Sequence, residues 1–522
     1  MAQTAENRTN TVPVKPANPL LYGNDILIND DDSEDQRGAN LSIAYNGWAY
    51  AVYTVMKGTQ GGFDIRKSTD NGLTWSEFSD VIQDNYQNVA VDLVVCGTSE
   101  ADLILYQTGI AYFVSTGNYM VYVDKYNATT GVFMGNVFLA SSPYLIYDIK
   151  IVSDYKFPSA GASPYSLGLL YSKYGPTADT LVFWSSADGG NTWGNKKIVA
   201  TTGQYMNKIS LSTGRCPNYN NGRYYAAWEQ KAFNTRTGGT YVSHTDPFFD
   251  SDWLIPTRLD DIAGSSVDLT KNPVVVCQAG SNDNSLSNFT SIVLFDRDYY
   301  GNGLDYDVIG MYTKEGGNIA PTWNRLDVAN HDMINEFESD ANYDPGYDNF
   351  LVTYCDSTNQ SLVYVVNGFN LLDPYVWGVI NSAYNDNANL LNPFPKVEIN
   401  QNFLQVGHVW IGERPGSKGA ATWDAEYPVG ISGDDGFVGS VSIYPNPCTT
   451  SATLEINLNK QENISAVLYN VYGQKVMDMA RGNFNAGNHI ITLRMSALPA
   501  GYYNYEIKSP TGKISGKVIV AR

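Results

Sequence analysis

Ser68-Thr69-Asp70-Asn71-Gly72-Leu73-Thr74-Trp75 and Ser186-Ala187-Asp188-Gly189-Gly190-Asn191-Thr192-Trp193 are two copies of one pattern, S-x-D-x-G-x-T-W. Each residue type has a reason to be there. A short Asp accepts hydrogen bonds from the amides of a tight turn, Gly admits a positive φ, and Trp packs the resulting hairpin onto its sheet. Weaker echoes follow at Ser243-His244-Thr245-Asp246 before Trp253, and at Tyr312-Thr313-Lys314-Glu315-Gly316-Gly317 before Trp323. With Trp377 and a unit lacking Trp near Val137, they define a repeat of about sixty residues, the length of a four-stranded unit with long loops.

The pattern resembles the Asp box, or BNR repeat, of sialidase-like β-propellers. In that family the box is structural and lies away from the ligand face, so the resemblance gives Ser68, Asp70, Gly72, Trp75, Ser186, Asp188, Gly190 and Trp193 a role in stability. Little of the chain has a 3.6-residue apolar period, and 47 Gly with 38 Tyr suit strands and turns. The expected fold class is therefore all-β. A short outer strand, a polar loop and a new inner strand recur at Ile26-Ile28, Val81-Ile82, Val137-Leu139, Ile198-Val199, Arg258-Leu259, Leu326-Val328 and Val397-Ile399. These junctions favour seven blades, with the six of known sialidases as the alternative. Ile26–Ile28 has no blade of its own, and the last unit, near Phe403–Ile411 and Ala420–Tyr427, has no outer strand; pairing them closes the ring and removes exposed edges.

The C-terminal segment, residues 441–522, reads as a separate module. Leu454, Ile456 and Leu458 alternate with polar residues, as do Tyr503, Tyr505 and Ile507, and Pro510-Thr511-Gly512 turns into a last strand. A small immunoglobulin-like sandwich is expected. Tyr444-Pro445-Asn446-Pro447, Leu468-Tyr469-Asn470-Val471-Tyr472-Gly473-Gln474-Lys475-Val476, Leu498-Pro499-Ala500-Gly501-Tyr502-Tyr503 and Lys517-Val518-Ile519-Val520 together resemble the C-terminal sorting domain of the type IX secretion system of Bacteroidota. That resemblance implies handling by the type IX machinery, export across the outer membrane, and an extracellular or surface-attached location. The expected organisation is an N-terminal segment 1–23, a propeller 24–428, a linker 429–440 rich in Gly and Asp, and the sorting domain.

Composition narrows the function. With 33 Lys+Arg against 53 Asp+Glu, the net charge of −20 repels nucleic acid. No apolar run is long enough for a transmembrane helix, and residues 1–22 lack the basic start and apolar core of a signal peptide, which is expected to have been removed. The five Cys and four His are scattered without metal-ligand spacing, and Cys96, Cys277 and Cys355 end apolar runs as buried thiols do.

Strand order puts the blade-to-blade loops and the loops between second and third strands on one face, opposite the Asp boxes. Sialidase chemistry would need three converging arginines, a Tyr nucleophile and acidic partners; Arg37, Arg236 and Arg297 reach this face from distant units. A two-carboxylate glycosidase could use Glu229 or Asp296. The same face carries Tyr112, Phe113, Tyr119, Tyr174, Phe233, Tyr299 and Tyr300, apolar platforms suited to sugar rings, with Arg37 beside them. Asp296, Asp298, Asn302, Asp305 and Asp307 crowd oxygen ligands around two glycines, as calcium loops do, without EF-hand spacing. The favoured reading is a secreted or surface propeller that binds a glycan or other surface polymer. A glycoside hydrolase and a structural or protein-binding surface subunit are the alternatives.

Overall fold

The computed structural model describes residues 26–520, apart from 154–165, 215–221, 233–237, 246–251, 261–268, 279–287, 299–305, 330–334, 345–348, 357–361, 368–394, 401–404, 415–417, 427–438, 445–447, 471–474 and shorter stretches. The chain divides into two compact units, whose main segments are Asn24–Ala425 and Glu426–Arg522.

The described part of the first unit is a ring of seven antiparallel sheets, six of four strands and one of three. Their inner strands are Asp35–Ile43, Tyr86–Cys96, Ile146–Ser153, Ile209–Gly214, Leu269–Cys277, Glu336–Asp344 and Lys396–Asn400. Each inner strand contacts the next, and the seventh contacts the first. This is a β-propeller. Apolar residues pack in separate clusters, each between consecutive sheets: Tyr50, Phe63, Leu93 and Leu105 between the first and second, Leu170, Phe183, Leu211 and Trp228 between the third and fourth.

An inner strand has a free edge facing the axis, so its amides need partners from elsewhere. They come from polar side chains of the preceding inner strand. Ser42 Oγ accepts from Val95 N at 3.1 Å, Asp92 Oδ2 from Ile151 N at 2.9 Å, Asp148 Oδ2 from Ile209 N at 3.3 Å, Ser210 Oγ from Val275 N at 3.0 Å and Asp340 Oδ2 from Val397 N at 3.0 Å. The ring is stitched sheet to sheet by hydrogen bonds as well as by apolar contact.

Closure is through the N-terminal strand. Ile26–Leu27 pairs antiparallel with Lys418–Glu426, placing Ile26 opposite Trp423, and forms the outer strand of the seventh sheet. One junction is corrected: Val397-Ile399 lies on the inner strand of that sheet and not on an outer strand of the sixth. Its Val397 and Ile399 are buried between sheets while Lys396 and Glu398 face the axial cavity, the same alternation that the other inner strands have.

Both S-x-D-x-G-x-T-W segments form tight turns. Asp70 Oδ1 accepts from Thr74 N at 2.9 Å and Asp188 Oδ1 from Thr192 N at 2.8 Å, while Ser68 and Ser186 Oγ accept from Gly72 and Gly190 N. Gly72 has φ 87° and lies against Trp423, whose indole meets Trp75 edge-on at 5.3 Å. The second box is held from the neighbouring sheet, where Tyr106 donates its hydroxyl to Gly189 O at 2.8 Å. Tyr50 to Ala128 O, 2.8 Å, and Tyr225 to Gly316 O, 2.7 Å, repeat this latch in units without a full box. The latch tyrosines carry no local motif, so sequence reading passed over them.

The second unit has two sheets, one of Gly439–Tyr444, Ser451–Leu458 and Gly487–Arg494, the other of Lys475–Phe484, Glu462–Asn470, Gly501–Ser509 and Gly512–Val520. Leu454, Ile456, Leu468, Ile507 and Val518 share its core. Cys96, Cys277, Cys355 and Cys448 are buried, and Cys216 lies outside the described residues.

Candidate functional site

Because strands alternate in direction, all inner strands begin at one end of the ring and the Asp-box turns lie at the other. At the first end the axial channel widens into a cavity of about 710 Å³ with contributions from the inner strands of all seven sheets. It continues into a narrower cavity of about 240 Å³ that shares Asn40, Lys150, Ile209, Val274 and Lys396 with it.

The inner strands of five sheets carry a register shift near this mouth, between Arg37 and Asn40, Asn88 and Ala90, Ile146 and Asp148, Lys271 and Val274, and Phe337 and Asp340. Such bulges re-aim side chains at sheet ends. Three residues within them are left-handed, Gly38 at φ 61°, Asn272 at 51° and Glu338 at 54°, and all three line the cavity. For Glu338 that conformation costs on the order of 1–2 kcal/mol. Asp296 offsets it: its Oδ1 and Oδ2 accept from Glu338 N at 3.0 and 3.1 Å, and Oδ2 from Asn272 Nδ2 at 2.7 Å.

The channel is charged and paired. Burial opposes the charge of Lys150, but Asp148 at 3.2 Å and Asp92 outweigh it and raise the ammonium above its usual range. Burial pushes Asp92 up to about 6, against the pull of Lys150 and of the Ile151 and Leu93 amides. Lys396 pairs with Asp340 at 3.0 Å. Asn88, Asn207 and Ser339 are residues of the cavity wall, each with a buried side-chain oxygen that has no hydrogen-bond partner among the described residues.

One sector of the rim is aromatic. Tyr174 lies near-parallel to Tyr205, with ring centres 6.3 Å apart and planes 15° apart, and meets Tyr144 edge-on at 6.2 Å. Tyr147, on the cavity wall, meets Tyr205 at 6.3 Å. Asp179 organises this cluster. It accepts from Gly175 N at 3.4 Å, Met206 N at 3.3 Å and the Tyr147 hydroxyl, tying together the loops that carry Tyr174 and Tyr205. Burial and then the Asp179 charge push the Tyr147 phenol well up. Of this cluster the sequence yielded only Tyr174. Tyr144 and Tyr205 follow outer strands, in junctions already assigned to this face, and that position was the available signal.

Tyr112 and Tyr119 are directly opposite each other across a hairpin of the second sheet, with ring centres 4.7 Å apart. Phe113 packs instead on Tyr86 at 5.4 Å. Arg37 lines the cavity and pairs with Asp35 at 2.9 Å. Glu229 is buried, paired with Lys231 at 3.0 Å, and is not on the cavity wall. Asp296, also buried, supports the bulges from behind. Asp296 and Asp298 share one strand face, whereas Asp307 is paired opposite Arg297 and so faces the other side, which keeps the three carboxylates from converging. Among the described residues, no group of three or more His, Cys, Asp or Glu is placed to hold a metal. Phe233, Tyr299, Tyr300, Asn302 and Asp305 lie outside the described residues.

Residues 442–521 match the family described as the secretion system C-terminal sorting domain. The chain thus carries the address of the type IX machinery, which sends its substrates to the cell surface or the extracellular space. Among the described residues no helix is long and apolar enough to cross a membrane. No curated protein matches the chain. Solved structures similar to it include an alpha-L-arabinanase of Penicillium chrysogenum complexed with arabinobiose, at 12% identity and a TM-score of 0.44 over 77% of this chain and 98% of that one. A sialidase of Streptococcus pneumoniae has 10% identity and a TM-score of 0.39 over 61% and 65%. A fucose-recognising lectin of Aleuria aurantia, a six-bladed β-propeller, has 9% identity and a TM-score of 0.35 over 68% and 97%. At such identities the likeness carries nothing about ligand or activity.

Proposed function

We propose that this exported propeller binds a glycan at the mouth of its axial channel. The observation that carries the reading is the 710 Å³ cavity flanked by the Tyr174–Tyr205 stack, with the polar residues Asn40, Gln87, Asn88 and Asn207 on its wall. A sugar ring offers an apolar face to a tyrosine and a rim of hydroxyls to such groups, and the site presents both at once. Glycan-array binding followed by titration calorimetry tests it. Tyr174→Ala and Tyr205→Ala should each weaken binding about tenfold with the fold intact. Parent protein that binds no glycan on the array would end this reading.

One observation favours a hydrolase as the second reading: two carboxylates, Asp148 and Glu338, line the cavity, Glu338 in a strained backbone conformation. They replace Glu229 and Asp296 as the pair to test. Release of reducing ends by the parent, abolished in Asp148→Asn and Glu338→Gln, would establish it.

A further inference from the structure

The tyrosines of the mouth form an arc and not a single platform. At one end Tyr112 and Tyr119 are paired on the second sheet. Tyr119 lies opposite Ser142 on the outer strand of that sheet, and Tyr144, whose amide donates to Ser142 Oγ, is two residues further on. From Tyr144 the ring contacts run on through Tyr174 to Tyr205, and from Tyr205 down to Tyr147 on the cavity wall. The rings thus come from the second sheet, from the third, and from the junction leading to the fourth. The charged group among these rings is the Asp179 carboxylate, and Lys150 and Lys396 at the cavity end are paired with Asp148 and Asp340, on a chain of net charge −20.

A single terminal sugar would be served by one ring and one set of polar partners. An arc crossing several sheets stacks successive units of a chain, and the anionic Asp179 and the overall negative field of the chain disfavour uronate or sulfate groups. Resting on the glycan-binding reading, we infer that the ligand is a neutral linear polysaccharide held across several consecutive sugar units, with the Tyr147–Tyr205 end at the cavity and the Tyr112–Tyr119 end outermost.

The test is a length series. Size-graded cello-, xylo-, manno- and arabino-oligosaccharides, from monosaccharide to octasaccharide, are titrated into the full chain and into Tyr112→Ala, Tyr119→Ala and Tyr174→Ala variants checked by circular dichroism. Affinity in at least one series should rise about tenfold or more between disaccharide and hexasaccharide. Tyr112→Ala should weaken only the longer members, whereas Tyr174→Ala should weaken all of them. A disaccharide binding as tightly as the octasaccharide, or Tyr112→Ala leaving the length dependence unchanged, would overturn the arc while leaving glycan binding in place. Failure of all four series alongside capture of charged glycans on the array would overturn the neutral-chain assignment. Failure of the array as a whole would instead remove the glycan reading beneath it.

Discussion

Asp124 lies between Gln107 and Asn136 on the second sheet, and burial pushes its carboxyl up to about 7. Asp296 is likewise pushed up to about 7 and Asp92 to about 6 by burial. A carboxyl whose folded pKa exceeds its unfolded value binds its proton more tightly when folded, so it adds stability as pH falls from the folded value toward the unfolded one, 3.8. The chain should therefore melt at a higher temperature near pH 5 than near pH 8, each group contributing at most about 1.4 kcal/mol per pH unit. Asp124→Asn should raise the pH 8 melting temperature and flatten the profile; an unchanged profile would show that its burial is relieved in solution. Asp70 and Asp188 have the opposite sign: burial opposes, but turn hydrogen bonds prevail and lower both, so their stabilisation is lost only as pH drops below about 4. Asp70→Ala and Asp188→Ala should lower the melting temperature through turn hydrogen bonds worth about 1 kcal/mol each, with glycan binding unaffected because the boxes are at the far end of the ring. The hydrogen-bond partners of these aspartates were legible in the sequence because every one lies within five residues. Tyr147, Tyr205 and Asp179 were not, since their meeting depends on which loops the ring makes neighbours.

At the scale of strands, the inner edges are where polar side chains decide stability. Ser42→Ala and Ser212→Ala leave the Val95 and Cys277 amides without their acceptors, at a cost of about 1–3 kcal/mol each, while Ser→Thr at the same positions keeps the hydroxyl. Urea melts that fail to separate Ala from Thr would remove the stitching from the account. The outer strands were readable as short apolar runs before polar loops, and six of the seven junctions follow that pattern. Val397-Ile399 looks identical over three residues, and only the charged neighbours Lys396 and Glu398, which need an axial cavity to face, mark it as an inner strand. The bulges that shape the mouth left no such trace: one has Gly38 at its left-handed position, but Asn272 and Glu338 hold theirs through a buried carboxylate from another strand.

At the scale of the molecule, the sorting unit has its own core of Leu454, Ile456, Leu468, Ile507 and Val518. Removing residues 441–522 should leave a ring that melts within a few degrees of the parent but is no longer displayed at the cell surface, and surface display of the truncated chain would contradict the export assignment. The two-part organisation could be read from the sequence because each part repeats or ends on a recognisable pattern. The cavity could not, because its wall takes a few residues from every sheet. The clasp between Ile26–Leu27 and Lys418–Glu426 also sets a clock. These strands lie roughly 400 residues apart, and at about 5–20 residues per second the first of them is made tens of seconds before its partner exists. Until then the nascent ring is an arc with an open seam. The clasp thus makes synthesis of Lys418–Glu426, and not of any earlier strand, the event that lets the ring lock.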